Sequence, residues 1–248
     1  MGTTIYFASD FHLGSPNPEE SRIREKKIVR WLDTCIHDMH SLYLMGDVFD
    51  FWFEYKKVVP KGYLRLFGKL AEIADASIPI HFFPGNHDMW MKGYLTDELN
   101  IQLHFNPVEI ELMGKSFYLA HGDGLGPGDK NYKLLKKVFA SPFCQWLYAR
   151  LHPNLALGIA DYWSSKSRAS QGDVQTFLGE DKEWLIQHSK EILETKHFDY
   201  FVYGHRHLPL TVPLNDKSTY INLGDWIRYF TFAKFDGQKL ELIEFNEK

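Results

Sequence analysis

The stretch YLAHGDGLGP, Tyr118 to Pro127, runs from an apolar strand pattern through a histidine and an aspartate into a glycine-rich loop. Four further stretches repeat this arrangement: IYFASDFH from Ile5, LYLMGDVFD from Leu42, IHFFPGNHD from Ile80 and YFVYGHRH from Tyr200. Five apolar runs therefore end in Asp, Asn or His. Because ligands of α/β sheets gather beyond the carboxyl ends of the strands, these endings predict a functional site at one edge of a sheet.

The composition is that of a folded protein of ordinary polarity. Of the 248 residues, 44% are hydrophobic and 24% are charged, which suits a single elaborated domain. The formal net charge of -4 argues against a nucleic-acid partner. No apolar run approaches twenty residues, so we expect a cytoplasmic protein. The two cysteines, Cys35 and Cys144, predict no disulfide framework, and any metal site must use nitrogen and oxygen ligands.

Strand and helix patterns alternate through the first half of the chain, as is typical of an α/β fold. Strands are predicted at Ile5–Ser9, Leu42–Met45 and Ile78–Phe83, and helices within Glu19–Met39 and Gly62–Asp75. Two layers of sheet with flanking helices would bury such strands.

The order of patterns changes in the second half. VEIELMG and KSFYLAH predict a hairpin that turns at Met113–Lys115, and short strands, including KLELIEF, run to the C-terminus. Between them, residues 128–196 are mostly helical in pattern, with a break at Pro153. The sequence therefore predicts one domain over residues 1–248, with a helical cap inserted at about 128–196.

The polar strand endings have the composition of a metal site. Residues i and i+2 of an extended segment face the same side, so Asp10 with His12, and His205 with His207, can each face one cavity. Seven nitrogen and oxygen ligands are more than one tetrahedral zinc ion binds, but the number suits two divalent ions that share a carboxylate. We expect Asp47 to be the shared carboxylate. Manganese is the expected metal, and iron or zinc suit the same ligand types. The predicted ligands are Asp10, His12, Asp47, Asn86, His121, His205 and His207.

The ordered blocks DFH, GDVFD, GNHD, HGD and GHRH, from Asp10 to His207, resemble the signature of the calcineurin-like metallophosphoesterases. The resemblance implies a β-sandwich flanked by helices, with a dinuclear site at one edge. It assigns one ion to Asp10, His12, Asp47 and His207, and the other ion to Asp47, Asn86, His121 and His205.

The same resemblance implies a hydrolytic mechanism. The two ions would activate water for attack on phosphorus, and no covalent intermediate is needed. His87, the histidine of the GNH block, would stabilise the transition state or protonate the leaving oxygen, and Asp50 would orient it.

Within that superfamily, GDVFDFW and HGDGLGPGDKNY followed by a helical insertion resemble the diphosphatases that cleave UDP-2,3-diacylglucosamine in the lipid A pathway. Many members of that family carry Arg where this chain has His87. The resemblance implies an acylated UDP-sugar as substrate. It also implies head-group contacts from Tyr132, Ser165, Lys166 and Arg168.

The insertion is rich in apolar side chains between Phe139 and Trp163. These residues either form the insertion's own small core or leave a surface open for acyl chains or for the cytoplasmic face of the inner membrane. No protein partner is predicted. The candidate acyl-chain contacts are Trp146, Tyr148, Leu151 and Leu155.

Two other functions stay open at this point. One is a phosphoesterase that acts on a nucleotide, a sugar phosphate or a cyclic diester. The other is a noncatalytic metal-binding scaffold that engages a partner through the aromatic insertion. His87 beside a complete ligand set argues against the scaffold, which has no need of a general acid.

Overall fold

In a computed structural model of the chain, residues 2–128, 130–160, 164 and 176–247 are described. The strands are β1 Thr4–Ala8, β2 Met39–Leu44, β3 Ile80–Phe82, β4 Gln102–Leu103, β5 Val108–Leu112, β6 Lys115–Ala120, β7 Tyr200–Tyr203, β8 Pro209–Pro213, β9 Thr219–Leu223, β10 Thr231–Phe235 and β11 Leu240–Glu244. The helices are α1 Pro18–Cys35, α2 Leu64–Asp75, α3 Tyr94–Leu99, α4 Lys130–Phe139, α5 Pro142–Tyr148, α6 at residues 153–160 and α7 Trp184–Leu193.

The strands form two mixed sheets. One has the order β11-β10-β1-β2-β3-β4, and the other has the order β5-β6-β7-β9-β8. β1 to β4 are parallel, as are β6, β7 and β9. His121 after β6 lies 3.4 Å from Asp47 after β2, so the carboxyl ends of both parallel sets meet at one edge.

Alternation along the strands divides the core into three layers. In β1, Ile5 and Phe7 face the second sheet, whereas Tyr6 and Ala8 face α1 and α2. Side chains of β6, β7 and β9 on the outer face of the second sheet pack against Leu185 and Ile186 of α7. The predicted fold class, a two-sheet sandwich flanked by helices, is confirmed.

Helix α1 shows how the sequence places these layers. Asn17 caps the helix by accepting hydrogen bonds from the backbone N–H groups of Glu19 and Glu20. Pro18 follows in the first turn, where the missing N–H of proline costs no hydrogen bond because N–H groups there have no partner within the helix. Buried residues recur along one face of α1 at helical spacing, and this face packs against the outer side of the first sheet. They include Ile28, Trp31, Leu32 and Cys35.

Some elements differ from the sequence prediction. β3 is shorter than the expected Ile78–Phe83, and β4 and α3 were not predicted because elements of two and six residues are too short for periodicity to reveal. The break at Pro153 is present, because α6 begins there. Among the helices described, none has the length and apolar character to cross a membrane.

Candidate metal centre

The loops after the parallel strands hold a cluster of strained backbone conformations. Five of the seven predicted ligands have positive φ angles, although none is a glycine. Left-handed backbone is uncommon for such residues and clusters at functional sites, where the surrounding structure enforces it. These residues are Asp10 (φ 56°), His12 (44°), Asp47 (51°), His205 (66°) and His207 (52°).

Four side chains at this edge form the first potential metal-binding group: Asp10, His12, Asp47 and His207, whose ligand atoms all lie within 4.8 Å of one another. The Nε2 atoms of His12 and His207 are 3.2 Å apart, and His207 Nε2 is 3.2 Å from Asp10 Oδ1. Two imidazole nitrogens bound to one ion at about 2.0–2.1 Å would have a similar separation.

A second group contains Asp47, His121 and His205. Asp47 Oδ2 lies 3.7 Å from His12 Nε2 and 3.4 Å from His121 Nε2, so this carboxylate stands between the two groups. Its other oxygen, Oδ1, accepts the backbone N–H of His87 at 2.8 Å. The position of Asp47 suits a bridging ligand.

Unpartnered buried atoms test whether the site fits metal ions. Asn86 Oδ1 and His121 Nε2 are buried, and neither makes a hydrogen bond within the described residues. Buried polar atoms without partners are unfavourable and rare in folded proteins. A divalent cation would satisfy both atoms. The residues present therefore fit a pair of divalent ions.

Carbonyl and carboxylate groups orient the imidazole rings from behind. His121 Nδ1 donates to the carbonyl oxygen of Met45 at 2.7 Å, which directs its Nε2 toward the centre. His207 Nδ1 lies 3.4 Å from Asp225 Oδ2, and His12 Nδ1 lies 3.4 Å from Asp50 Oδ1. Asp225 was not predicted. The apolar run INLGD, which ends β9 in Gly-Asp like the other strand endings, was the available signal.

Asp88, the last residue of the GNHD block, was also not assigned a role. It accepts hydrogen bonds from the backbone N–H groups of Gly85 and Val48 at 2.7 and 2.8 Å, which ties two ligand loops together. Burial and the neighbouring Asp47 raise the pKa of Asp88 to about 7.

Electrostatics at the centre favour positive charge. Burial alone would lower the pKa of His121, but the Asp47 carboxylate raises it to about 10. Burial opposes ionisation of Asp47 as well, yet nearby imidazoles hold its pKa well below the ordinary value. In contrast, burial lowers the pKa of His205 to about 4, which leaves the neutral imidazole that binds metals.

His87 and Asp50 lie beside the centre. His87 Nδ1 is 2.8 Å from the backbone carbonyl oxygen of Asp50 and 3.9 Å from its carboxylate, so the carbonyl is the nearer orienting group. A carbonyl only accepts, hence Nδ1 carries a proton and Nε2 is left for a substrate. Burial lowers the pKa of His87, whereas the negative charge of a bound phosphate would favour its protonated form.

A cavity of about 350 Å³, here called the aromatic cavity, opens beside His87. Its volume is within the range of small-molecule sites. Of the predicted substrate contacts, Tyr132 and Tyr148 line it, whereas Trp146 is 52% exposed and lies outside its lining. Leu151 and Leu155 are also outside the lining. The predicted contacts Ser165, Lys166 and Arg168 lie outside the described residues.

A second cavity of about 370 Å³, here called the cationic cavity, adjoins the predicted ligand His205. Lys182, Trp184 and Arg206 line it, and Arg206 forms an ion pair with Glu183 at 2.9 Å. Its walls come from the loops after β6 and β7 and from the start of α7 with the residues before it, so no single stretch of sequence revealed it.

Comparison with known proteins defines the class of this chain. The calcineurin-like phosphoesterase family matches residues 3–209. The chain therefore belongs to this family and is a hydrolase of that class.

Particular relatives extend over the whole chain. UDP-2,3-diacylglucosamine hydrolase of Porphyromonas gingivalis is 41% identical over 98% of this chain and 97% of its own length. The hydrolase of the same name from Shewanella halifaxensis is 28% identical over 96% of both chains. Among solved structures, Yfce, a phosphoesterase from E. coli, is similar at 15% identity over 98% of this chain and 100% of its own, with a TM-score of 0.45.

Proposed function

We propose that this protein hydrolyses the pyrophosphate bond of UDP-2,3-diacylglucosamine, releasing 2,3-diacylglucosamine 1-phosphate and UMP in lipid A biosynthesis. The full-length similarity to a hydrolase of that name at 41% identity carries the proposal. The aromatic cavity beside His87 supports it independently, since an acylated substrate needs an apolar site next to the reacting phosphate.

The residues of the centre have distinct roles in this proposal. The seven ligands would hold two divalent ions, which when bound supply positive charge to the phosphoryl oxygens and activate water. Asp47 would be shared by both ions. His87 Nε2 would donate to the leaving phosphate oxygen, and the Asp50 carbonyl would keep the ring in place. Manganese suits the mixed imidazole, carboxylate and amide set.

The two cavities suit the two halves of the substrate. Acyl chains would enter the aromatic cavity, whose walls include Trp90, Phe139 and Tyr148. The uridine and its phosphate would occupy the cationic cavity, where Trp184 offers a ring for stacking and Lys182 a positive charge. Both cavities adjoin residues of the metal centre, so the pyrophosphate would span it.

The insertion also offers apolar side chains to a membrane surface. Leu134 of α4 and Phe143 of α5 are each 65% exposed, and Leu147 is 47% exposed. We propose that this face touches the cytoplasmic side of the inner membrane, where an acylated substrate resides. Flotation with anionic vesicles, compared between the unchanged protein and Phe143→Ser, measures this contact.

The substrate proposal is tested by comparing UDP-2,3-diacylglucosamine with deacylated UDP-glucosamine in the presence of manganese. Burying each methylene contributes about 0.8 kcal/mol, so kcat/KM should favour the acylated substrate by about 100-fold or more. Mass spectrometry should identify UMP and the lipid monophosphate as products. Equal efficiency on both substrates would leave a phosphoesterase for nucleotides, sugar phosphates or cyclic diesters.

A charge introduced into the aromatic cavity tests where the acyl chains bind. Ile159 lines the cavity but is 40% exposed, so Ile159→Glu should fold. We expect at least about tenfold lower kcat/KM on the acylated substrate and no change on the deacylated one. Ile23→Glu, at an exposed isoleucine of α1 that does not line the cavity, is the matched control. Equal losses in both variants would remove the cavity from acyl recognition.

A further inference from the structure

A serine of the insertion reaches the proposed His87–Asp50 pair. Ser164 Oγ lies 2.8 Å from Asp50 Oδ2, 3.4 Å from the Asp50 carbonyl oxygen and 3.3 Å from His87 Nδ1. The residue is helical and 7% exposed, and it is 114 positions away from Asp50 in the sequence. The insertion therefore contributes a buried hydroxyl to the metallophosphoesterase core.

Donor and acceptor rules give the direction of these hydrogen bonds. An ionised carboxylate only accepts, so the single Ser164 hydroxyl proton is donated to Asp50 Oδ2. His87 Nδ1 donates to the Asp50 carbonyl oxygen at 2.8 Å, with Ser164 Oγ as a longer second acceptor at 3.3 Å. Ser164 thus contacts both the carboxylate of Asp50 and the ring of His87.

Asp50 is held between two parts of the molecule. Its Oδ1 lies 3.4 Å from His12 Nδ1, on the side of the metal centre, and its Oδ2 accepts from Ser164 on the side of the insertion. Hydrogen bonds to a buried carboxylate are strong, and loss of a donor from a 5% exposed group loosens its position. Any shift of Asp50 moves the carbonyl that orients His87.

We propose that Ser164 is a positioning residue, by which the insertion aligns His87 Nε2 for the leaving group. This inference rests on the proposed role of His87. Ser164 acts through His87 and Asp50, so removing its hydroxyl should lower the rate when the leaving group needs a proton. A leaving group that departs unaided should be insensitive to the change.

The test measures kcat and KM for two manganese-loaded reactions of each variant. Both substrates are phosphodiesters that differ only in the leaving group: one releases p-nitrophenolate, which departs unaided, and the other releases an ethoxide, which needs a proton to depart. For Ser164→Ala we expect about tenfold lower kcat on the second substrate, KM within about twofold, and little change on the first. Ser164→Thr, which keeps the hydroxyl, should restore most of the loss. Ser164→Cys has a side chain of similar size but a weak donor, so it should behave like Ser164→Ala. It takes the place of Ser164→Ala if that variant does not fold.

The control is Ser189→Ala. Ser189 is a fully buried helical serine of α7, whose Oγ donates to the Leu185 carbonyl at 2.8 Å and lies 3.1 Å from the Tyr203 hydroxyl, so its recorded hydrogen bonds involve neither His87 nor Asp50. Its removal should leave both reactions unchanged. Elemental analysis should find the same metal content in every variant.

His87→Ala separates the two levels of the proposal. His87→Ala should show the same leaving-group dependence with a larger loss of kcat. In the double variant, Ser164→Ala should lower kcat little further than His87→Ala does alone. If His87→Ala shows the dependence and Ser164→Ala does not, positioning by Ser164 is overturned. A higher KM with unchanged kcat would instead make Ser164 a substrate contact. Absence of leaving-group dependence in His87→Ala would overturn the proposed roles of both residues.

Discussion

Gly85 lies against two of the proposed metal ligands, where no larger residue fits. A Cβ atom at this position would lie 2.3 Å from Asp47 Oδ1 and 2.6 Å from His121 Nε2, closer than non-bonded atoms pack. The backbone after β3 can approach the centre because glycine has no side chain. The same approach lets the neighbouring Asn86 present its oxygen there.

We predict that Gly85→Ala displaces both ligands, loses most of the bound metal and lowers turnover by about 100-fold or more. Elemental analysis and an assay with manganese measure the two effects. Gly68→Ala, at a glycine of α2 with nothing within 4 Å of an added Cβ, is the control, and it should raise the free energy of unfolding by roughly 0.5–1 kcal/mol. Full metal content in Gly85→Ala would contradict the described geometry.

At the scale of elements, two histidines join β3 to the edge strand β4 of the first sheet. His81 of β3 and His104 after β4 approach at 3.1 Å between Nδ1 and Nε2, and their rings stack. The His81 ring also stacks on Tyr43 of β2. Burial, together with His104, lowers the pKa of His81 to about 4, and burial lowers the pKa of His104. Both imidazoles are therefore neutral in the folded protein at neutral pH.

This pair should make the fold sensitive to acid. The unfolded chain has the ordinary histidine pKa of about 6.5, so below that pH it binds protons that folded His81 does not bind. Stability contributed by neutral His81 is present above about pH 6.5 and is lost as the pH falls toward about 4.

The measurement is urea unfolding of chelated protein at pH 7.5 and pH 5. The free energy of unfolding should decrease between pH 7.5 and pH 5. We predict that this decrease is smaller by roughly 1–2 kcal/mol in His81→Phe, which keeps a stacking ring. His37→Asn, at an exposed histidine, should retain the whole decrease. Identical pH dependence in the unchanged protein and in His81→Phe would exclude the pair as a source of acid sensitivity.

At the scale of the whole molecule, the candidate metal centre lies between the two sheets. Asp10, Asp47 and Asn86 follow strands of the first sheet, whereas His121 and His205 follow strands of the second. Ions held by both sets would bind the folded chain and not the unfolded one, so metal binding should stabilise the packing of the sheets.

We predict that chelation lowers the melting temperature by about 10 °C. Free metal at 1,000 times its dissociation constant stabilises a site by about 4 kcal/mol, and 1 kcal/mol shifts Tm by about 2–4 °C in a domain of this size. Scanning calorimetry with manganese and with excess chelator measures the difference. Asp47→Asn should melt at nearly the same temperature in both conditions. A large metal effect in that variant would show that the stabilising ions bind elsewhere.

The amino-acid sequence by itself determined the fold class, the family and the residues expected at the metal centre. Apolar alternation predicts the strands because each face of a sheet has its own neighbour, and glycine with Asp, Asn or His at the strand endings is a local signal. The resemblance to calcineurin-like phosphoesterases is confirmed by the match to residues 3–209. The seven ligand assignments and the single-domain division stay predictions.

Only the tertiary structure decided which groups surround these residues. Asp225 reaches His207 through the order of strands in the second sheet, and Ser164 reaches Asp50 across 114 residues. The face of α5 that packs on Phe53 and Trp90 brings Tyr148 into the aromatic cavity and leaves Trp146 outside it. Such contacts depend on how separate elements pack, and hydrophobic spacing within one element does not specify its neighbour.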